Sequence, residues 1–414
     1  GVVSDEGGRF VIKGVPKGKA KVEFSFIGYE TVIKEVFVEE EVKMKIELER
    51  TILKTQEVVI SGGTYSTQHE NAVKIEVINA DDINRMSAPN PVACLGKVPG
   101  VDMISKGNGV AKPVIRGLSM NDVLVLNNGF RIENYQYSAN HPMGLDEFGV
   151  QKVEVIKGPA SLLYGSDAIG GVINFIREYP APTGSLVGDF ESVFHSASLG
   201  TNTNVGLKGS TGKFFGGIRF GLKSHADYLD GNNDFVPNTR FNEKSVKTFV
   251  GHHGKVGKFS VFYDYGGQKL GMPVPPALNA GLDRGRENKI WYQDLQNHMV
   301  ASKNKLFLGK FKVEANASFQ NNHRSLMTTA DVPEIEMRLN TFTYGIKTFL
   351  PSREFSEYIV GVQGTVQDNK NLNGREEHIL PGATINSFGV FGLAQKVFFG
   401  KLRAQAGLRY DFQH

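Results

Sequence analysis

The stretch closest to a chemical motif is VEVIKGPASLLYGSDAIGGVINFI, Val153 to Ile176, in which apolar runs flank a Gly-rich middle with one lysine. A Walker-type phosphate cradle needs two glycines five apart, the second followed by Lys and then Ser or Thr, so that N–H groups and an ammonium surround phosphate oxygens. Gly165 and Gly170 have that gap, but Gly171 and Val172 follow, and Lys157 precedes both glycines. The stretch is therefore read as structural. No G-x-S-x-G elbow, H-E-x-x-H helix or C-x-x-C pair occurs. The carboxylates Asp81 and Asp82 are placed to start a helix, which is reason enough for them. No enzyme and no cofactor are expected.

Binding chemistry is more promising than catalysis. The segment ENYQYSANHPMGLDEF, Glu133 to Phe148, brings together Tyr135, Tyr137, Asn140, His141, Asp146 and Glu147. Tyr rings suit a bulky ligand with sugar or aromatic parts. His and carboxylates suit a bare or chelated metal. A solvated loop satisfied by its own polar groups is the plain alternative. His225 and His323, beside long polar stretches, are the other metal candidates, and His195 and His298 are read onto a polar strand face. The single cysteine, Cys94, excludes an internal disulfide framework and a Cys-based zinc site. It is read as a small buried hydrophobe.

These residues need a scaffold, and composition points to strands. The chain has 414 residues, with 48 Gly, 28 Phe and 13 Tyr against one Trp, a balance that favours short strands and tight turns. No apolar run reaches the length of a transmembrane helix. The net charge of +4 is small and spread out, so it gives no sign of nucleic acid as a partner. Residues 1–52 alternate in strand fashion, most cleanly at Val42, Met44, Ile46 and Leu48, and are read as an incomplete β-sandwich of four strands. Residues 53–65 are a linker. Residues 66–180 read as a compact α+β unit: short helices at NADDINRM and PVACLGKVPG, strands KPVIRGL, DVLVLNNGFRI and VQKVEVIKG, helix PASLLY and strand GGVINFI.

From residue 181 to 414 the texture changes. In KLRAQAGLRYDF, Leu402, Ala404, Ala406, Leu408, Tyr410 and Phe412 share one face, and Arg403, Gln405, Arg409 and Asp411 the other. The same split recurs in Phe214/Ile218/Phe220/Leu222 against Arg219/Lys223, and in Val313/Ala315/Ala317/Phe319 against Glu314/Asn316/Ser318/Gln320. About eleven such strands of bilayer-spanning length alternate short turns with long polar loops, which is the transmembrane barrel pattern. An open edge in lipid would leave unpaired backbone groups, each costing several kcal/mol. The chain is therefore expected to be a fragment of a larger barrel.

With these residues in view, the sequence resembles the TonB-dependent outer-membrane receptors that carry an N-terminal carboxypeptidase-regulatory-like domain. The stretch from Val153 to Ile176 matches the end of the family's plug, and LGKVPGVDM, VIRGL and VLVLNNGFRI match its other segments. DEGGRFVIKGVPKG and VEFSFIGYE resemble the second half of the regulatory-like sandwich. The resemblance implies a mainly β fold: a sandwich remnant in the periplasm, an α+β plug, and roughly the first half of a 22-stranded antiparallel transmembrane β-barrel. It implies active import of a scarce ligand, with TonB-ExbB-ExbD, outer-membrane lipid and the imported small ligand as partners. A TonB box is expected at QEVVIS: Gln56, Glu57, Val58, Val59, Ile60 and Ser61. The plug-motif residues would be Arg116, Gly117, Glu154, Lys157, Gly158, Pro159, Tyr164, Gly165, Gly170 and Gly171, with the charged ones free to bridge plug and wall. Tyr135, Tyr137, Asn140, His141 and Asp146 would contact ligand. A metal ion or chelate is the favoured cargo. Glycan or other organic uptake, a non-transporting surface-binding barrel, and signalling through the N-terminal domain are the alternatives.

Overall fold

The computed structural model describes all residues except 1, 3, 6, 7, 16, 25, 27, 28, 30, 31, 49–57, 60–65, 68–74, 134–138, 158–160, 166, 167, 330, 352–355, 373–379, 400 and 401; side chains of 58, 59, 66, 67, 161, 397 and 403 are also outside the description. At the N-terminal end, β1 (Gly18–Phe24) pairs antiparallel with β2 (Val32–Val38). Among the described residues this segment is a two-stranded hairpin, where four strands were expected. The cleanest alternating run, 42–48, forms no strand. Alternation prepares one face for burial, but a strand also needs a neighbouring edge to satisfy its backbone. Next come β3 (Val58–Val59) and β4 (Ser66–Thr67), which pair with each other.

The α+β unit is built on a five-stranded sheet. β5 (Ile75–Asn79) leads into α1 (Ala80–Met86) and a 3-10 turn over Ala93–Lys97; β6 (Val101–Ser105), β7 (Ala111–Ile115) and β8 (Leu118–Ser119) form a side sheet. β9 (Val123–Asn127), β10 (Phe130–Arg131), β11 (Val150–Lys157), α2 (Ser161–Tyr164) and β12 (Gly171–Arg177) complete it, in sheet order β10-β9-β12-β11-β5. Asp81 and Asp82 lie in the first turn of α1, where they meet the helix dipole, while Asn79 takes the N-cap position. Asn128 and Gly129 both have positive φ, so this Asn-Gly pair makes the tight twisted turn that joins β9 to β10. Apolar side chains pack both sheet faces: Leu95, Ile115, Val125, Val155 and Ile173 among others on one, Ile75, Leu126, Ile156 and Val172 on the other.

The remaining strands form one antiparallel sheet in sequence order: β13 (Leu186–His195), β14 (Gly200–Ser210), β15 (Phe214–His225), β16 (Phe241–Gly254), β17 (Gly257–Gly271), β18 (Tyr292–Leu308), β19 (Phe311–Met327), β20 (Ile335–Leu350), β21 (Ser356–Asn371), β22 (Ala383–Phe398) and β23 (Leu402–Gln413). The eleven strands match the number expected. The period-two split fixes their faces. Phe190, Phe220, Leu222, Leu408 and Tyr410 are exposed on the convex side, whereas Arg219, Lys223, Asp264 and Gln320 are buried on the concave side against the α+β unit. Short turns join the strands at 211–213, 255–256 and 309–310. The links at 226–240, 272–291 and 372–382 on the other rim are long, and α3 (Pro275–Leu278) lies in the second.

Two of the long loops on that rim, 226–240 and 272–291, are joined through a buried ion pair. Arg240 pairs with Asp227, and its guanidinium also donates to Asp283 O at 2.7 Å and Glu287 O at 3.0 Å. Asn238 Nδ2 donates to Met272 O and Trp291 O. Two loops far apart in sequence are thereby fastened to each other.

Candidate functional site

The stretch from Val153 to Ile176 becomes β11, α2 and β12. Its glycines serve close packing. At Gly171 a Cβ would lie 2.3 Å from Ile156 O, and at Gly170 2.9 Å from Asp122 O. Lys157 does not reach the wall: its Nζ donates to Glu76 Oε1 at 3.1 Å and to Pro99 O at 2.9 Å, both within the plug. Glu154 pairs with Lys152 at 3.0 Å on its own strand. Arg116 and Gly117 both have positive φ and form the two-residue turn between β7 and β8. Gly165 also has positive φ, at the end of α2. Leu163 and Tyr164 of α2 pack onto Ile359, Phe391 and Leu393 of the wall. Gly158 and Pro159 lie outside the described residues.

Of the expected ligand contacts, Tyr135 and Tyr137 lie outside the described residues. Asn140 O accepts from Gln293 Nε2 of β18 at 2.7 Å. His141 is buried, and burial, followed by the Arg324 and Lys112 charges, pushes its imidazole down to about 2, so it is neutral at physiological pH. The same burial, with Arg324 nearby, brings the Lys112 ammonium down to about 7.

Asp146 meets a wall residue that the sequence reading did not give it. It is buried, and its Oδ1 accepts from Lys247 Nζ at 2.6 Å and from the Phe148 N–H at 2.8 Å. Burial opposes its ionisation, but the Lys247 and Lys223 charges and these hydrogen bonds outweigh that and hold the carboxyl below the usual range. It fastens the plug to the wall.

Neighbouring contacts have the same character. Lys223 Nζ reaches Glu147 at 2.6 Å, and Arg219 reaches Glu178 at 2.9 Å and Asp189 at 2.6 Å. Lys208 joins Glu178 at 2.9 Å, and Arg177 pairs with Asp264. Sequence reasoning placed Arg219 and Lys223 on the polar face but had no signal for their partners. Glu178, Arg177, Lys247 and Asp264 it missed altogether. Alternating inward charge was the available clue; which carboxylate meets which cation depends on how the plug is rotated in the barrel.

The metal candidates are not brought together. His225 is buried at the long-loop rim: Ser198 Oγ is 2.8 Å from its Nδ1 and Asn202 Oδ1 2.7 Å from its Nε2, with Phe241 stacked on the ring. Both nitrogens are thus occupied. His323 is on the convex face of β19, beside Glu336 at 2.9 Å. Among the described residues, no group of three or more His, Cys, Asp or Glu is placed to hold a metal. His195 faces inward, toward His225, but His298 is on the convex side with Tyr263 OH 2.9 Å from its Nδ1. Inward Met299 fixes that parity. Burial raises the Cys94 thiol to about 11, so it stays protonated, as an inert core residue should.

A transmembrane-type sheet wrapped around a folded domain defines a plugged β-barrel protein. Residues 67–172 match the TonB-dependent Receptor Plug Domain, and residues 1–60 match the CarboxypepD_reg-like domain. The vitamin B12 transporter BtuB of Vibrio vulnificus is 30% identical over 268 residues, 63% of this chain and 39% of that protein. BtuB of Photobacterium profundum is 32% identical over 123 residues, 29% of this chain and 20% of that protein. The chain thus spans less than half the length of these curated relatives. In fold it resembles the ferric yersiniabactin uptake receptor FyuA from Yersinia pestis, with TM-score 0.68 at 15% identity over 86% of this chain and 59% of that one. The Serratia marcescens hemophore receptor HasR, in complex with its hemophore HasA and heme, gives TM-score 0.69 at 16% identity over 82% and 52%. The chain thus carries a plug domain of the TonB-dependent receptor type and, ahead of it, a regulatory-like domain. The matched relatives are receptors and transporters, not enzymes.

Proposed function

We propose that this chain is part of an importer that draws a metal chelate across the bacterial outer membrane, energised by TonB with ExbB and ExbD. The carrying observation is the plug itself. A folded domain is fastened to the concave face of the wall by buried ion pairs, so moving it aside requires work. The relatives point to the cargo class, since their names concern vitamin B12, ferric yersiniabactin and heme. All are organic molecules that carry a metal.

The pulling point is QEVVIS, Gln56 to Ser61. An extended segment adds to a partner's sheet edge through main-chain hydrogen bonds, and Val58–Val59 is already extended in a two-residue pairing with Ser66–Thr67. Ligand is met by Tyr135, Tyr137, Asn140 and His141, of which Asn140 lies against Gln293 at the long-loop end of β18. The N-terminal domain is periplasmic, on the short-turn side; Glu23 of β1 lies 3.3 Å from Lys305 Nζ on that half of β18.

The test uses a strain lacking the gene, complemented with the full-length gene, and grown on defined ferric chelate, heme, cobalamin, zinc or glycan sources. Growth on one metal chelate should require both the gene and TonB. A requirement on glycan alone would favour the organic-nutrient alternative, and ligand binding without uptake would favour a surface receptor.

A further inference from the structure

Two neighbouring lysines of β18 hold different parts of the chain. Lys303 Nζ donates to Asn128 O, in the plug turn between β9 and β10, at 3.1 Å. Lys305 is two residues further on and so on the same inward face; its Nζ lies 3.3 Å from Glu23 Oε1 of the N-terminal hairpin. A second contact is made at the adjoining short turn, where a Cβ at Gly14 would lie 3.9 Å from Lys310 Cε. The N-terminal segment thus meets the short-turn rim at β18 and β19, next to the plug turn.

The charges of this rim give the contact its reason. Lys258, Lys305, Glu314 and Lys347 are cross-strand neighbours in one inward row. Lys303 and Lys312 flank that row on the same face, Lys312 with its Nζ 3.9 Å from Glu314 and within the fields of Glu23 and Glu357. In this half of β17 to β21, five lysines therefore face two wall glutamates. Lys258 and Lys305 are directly opposite each other, and like charges so placed repel. The plug's Glu154 acts on Lys303 but is paired with Lys152. Glu23 brings a further carboxylate to the row from outside the barrel. Within the hairpin itself, Lys21 is matched by Glu35 at 3.9 Å.

We propose that the N-terminal domain is latched onto its own barrel at this lysine row through Glu23, rather than hanging free on its linker. Only the side of the membrane on which the latch lies rests on the importer function proposed above. The pair is partly exposed, so it holds weakly and is screened by salt, which makes the latch reversible. Because Lys303 and Lys305 are separate side chains, opening the latch frees the domain while Lys303 keeps its hold on the plug turn.

The test uses the full-length protein carrying Cys94→Ser and a short bis-maleimide that joins two cysteines. Lys13→Cys, beside Gly14, is combined either with Lys310→Cys at the turn of β18 and β19 or with Lys213→Cys at the turn of β14 and β15, four strands and about 19 Å away along the rim. In dilute buffer the link to position 310 should form and the link to position 213 should not. The first should be lost in about 1 M KCl, where the screening length falls to about 3 Å. Adding Glu23→Lys should abolish it, and Glu23→Lys together with Lys305→Glu should restore it. Hydrogen exchange of the plug amides should be the same in Glu23→Lys as in the parent. No link to position 310, equal linking to both turns, a link that survives salt or Glu23→Lys, no restoration by the exchanged pair, or a loosened plug in Glu23→Lys would overturn the proposal. Cross-linking needs neither cargo nor TonB, so its failure is separate from a failure of the uptake experiment.

Discussion

Asp146 of the plug and Lys247 of the barrel wall form a buried ion pair, Oδ1 to Nζ 2.6 Å, across 101 residues of sequence. The Lys247 ammonium also donates to Phe148 O at 2.7 Å, so a single wall residue holds both sides of a plug turn. Removing one partner leaves the other charge buried. Lys247→Ala should destabilise the seated plug by about 3–5 kcal/mol, whereas a joint apolar replacement of both residues should cost far less. Hydrogen exchange of the plug amides in the full-length protein measures both variants. Equal protection in the single variant and the parent would contradict the anchoring role.

Acid should loosen the same contacts. The carboxyls of Asp146 and Glu178 are held below their ordinary values: burial works against ionisation, but Lys247 and Lys223 in one case and Arg219 and Lys208 in the other outweigh it. Because the folded values are depressed, the stabilisation is complete above the unfolded carboxylate range and is lost as pH falls through the folded ones. Plug protection should stay level from neutrality to mildly acidic pH and fall below about pH 4. In Asp146→Asn the part of that fall due to this residue should disappear, as followed by exchange against pH.

Val58→Pro tests the pulling segment. Proline removes a main-chain donor and fixes φ, so it should prevent addition to a partner's sheet edge without touching the ligand loop. Energised uptake by the full-length protein should be lost while equilibrium binding of the chelate is retained. Uptake at the parental rate would move the pulling point elsewhere in the chain.

Gly171 has φ +153, and a Cβ there would lie 2.3 Å from Ile156 O across the β11–β12 pairing. Backbone cannot yield as a side-chain tip can. Gly171→Ala should cost about 1–3 kcal/mol, as overpacking of a core does, seen as a lower unfolding midpoint. Gly184, with nothing near its Cβ position but a positive φ, should cost less on the same change, about 1 kcal/mol of backbone strain.

On the long-loop rim, Arg240→Ala would leave Asp227 buried without its guanidinium and release the carbonyls of Asp283 and Glu287. Loops 226–240 and 272–291 should then become sensitive to added protease while the strands stay intact. Arg240→Lys should keep only part of the protection, because an ammonium cannot form the bidentate pair.

The strand faces were legible because a barrel imposes a two-residue period with lipid on one side, and a period survives in sequence without knowledge of any partner. Phe220 and Arg219 could be assigned to opposite faces from their neighbours alone. The tight turns at Arg116-Gly117 and Asn128-Gly129 are just as local, yet they fall inside KPVIRGL and DVLVLNNGFRI, which the sequence reading took as single strands. The run 42–48 shows the limit of that logic: its period is as clean as any, yet it forms no strand, because pairing depends on an edge elsewhere.

What the sequence determined by itself was thus periodicity and the plug motif, both carried by residues near one another in the chain. The tertiary structure alone decided that Asp146 pairs with Lys247 of the wall, that Lys157 pairs within the plug, and that His225 and His323 do not share a site. Each of those outcomes depends on which groups meet across tens or hundreds of residues. Burial makes that meeting obligatory, since a buried charge or amide must find a partner, but the choice of partner is made only when the plug is seated in its wall.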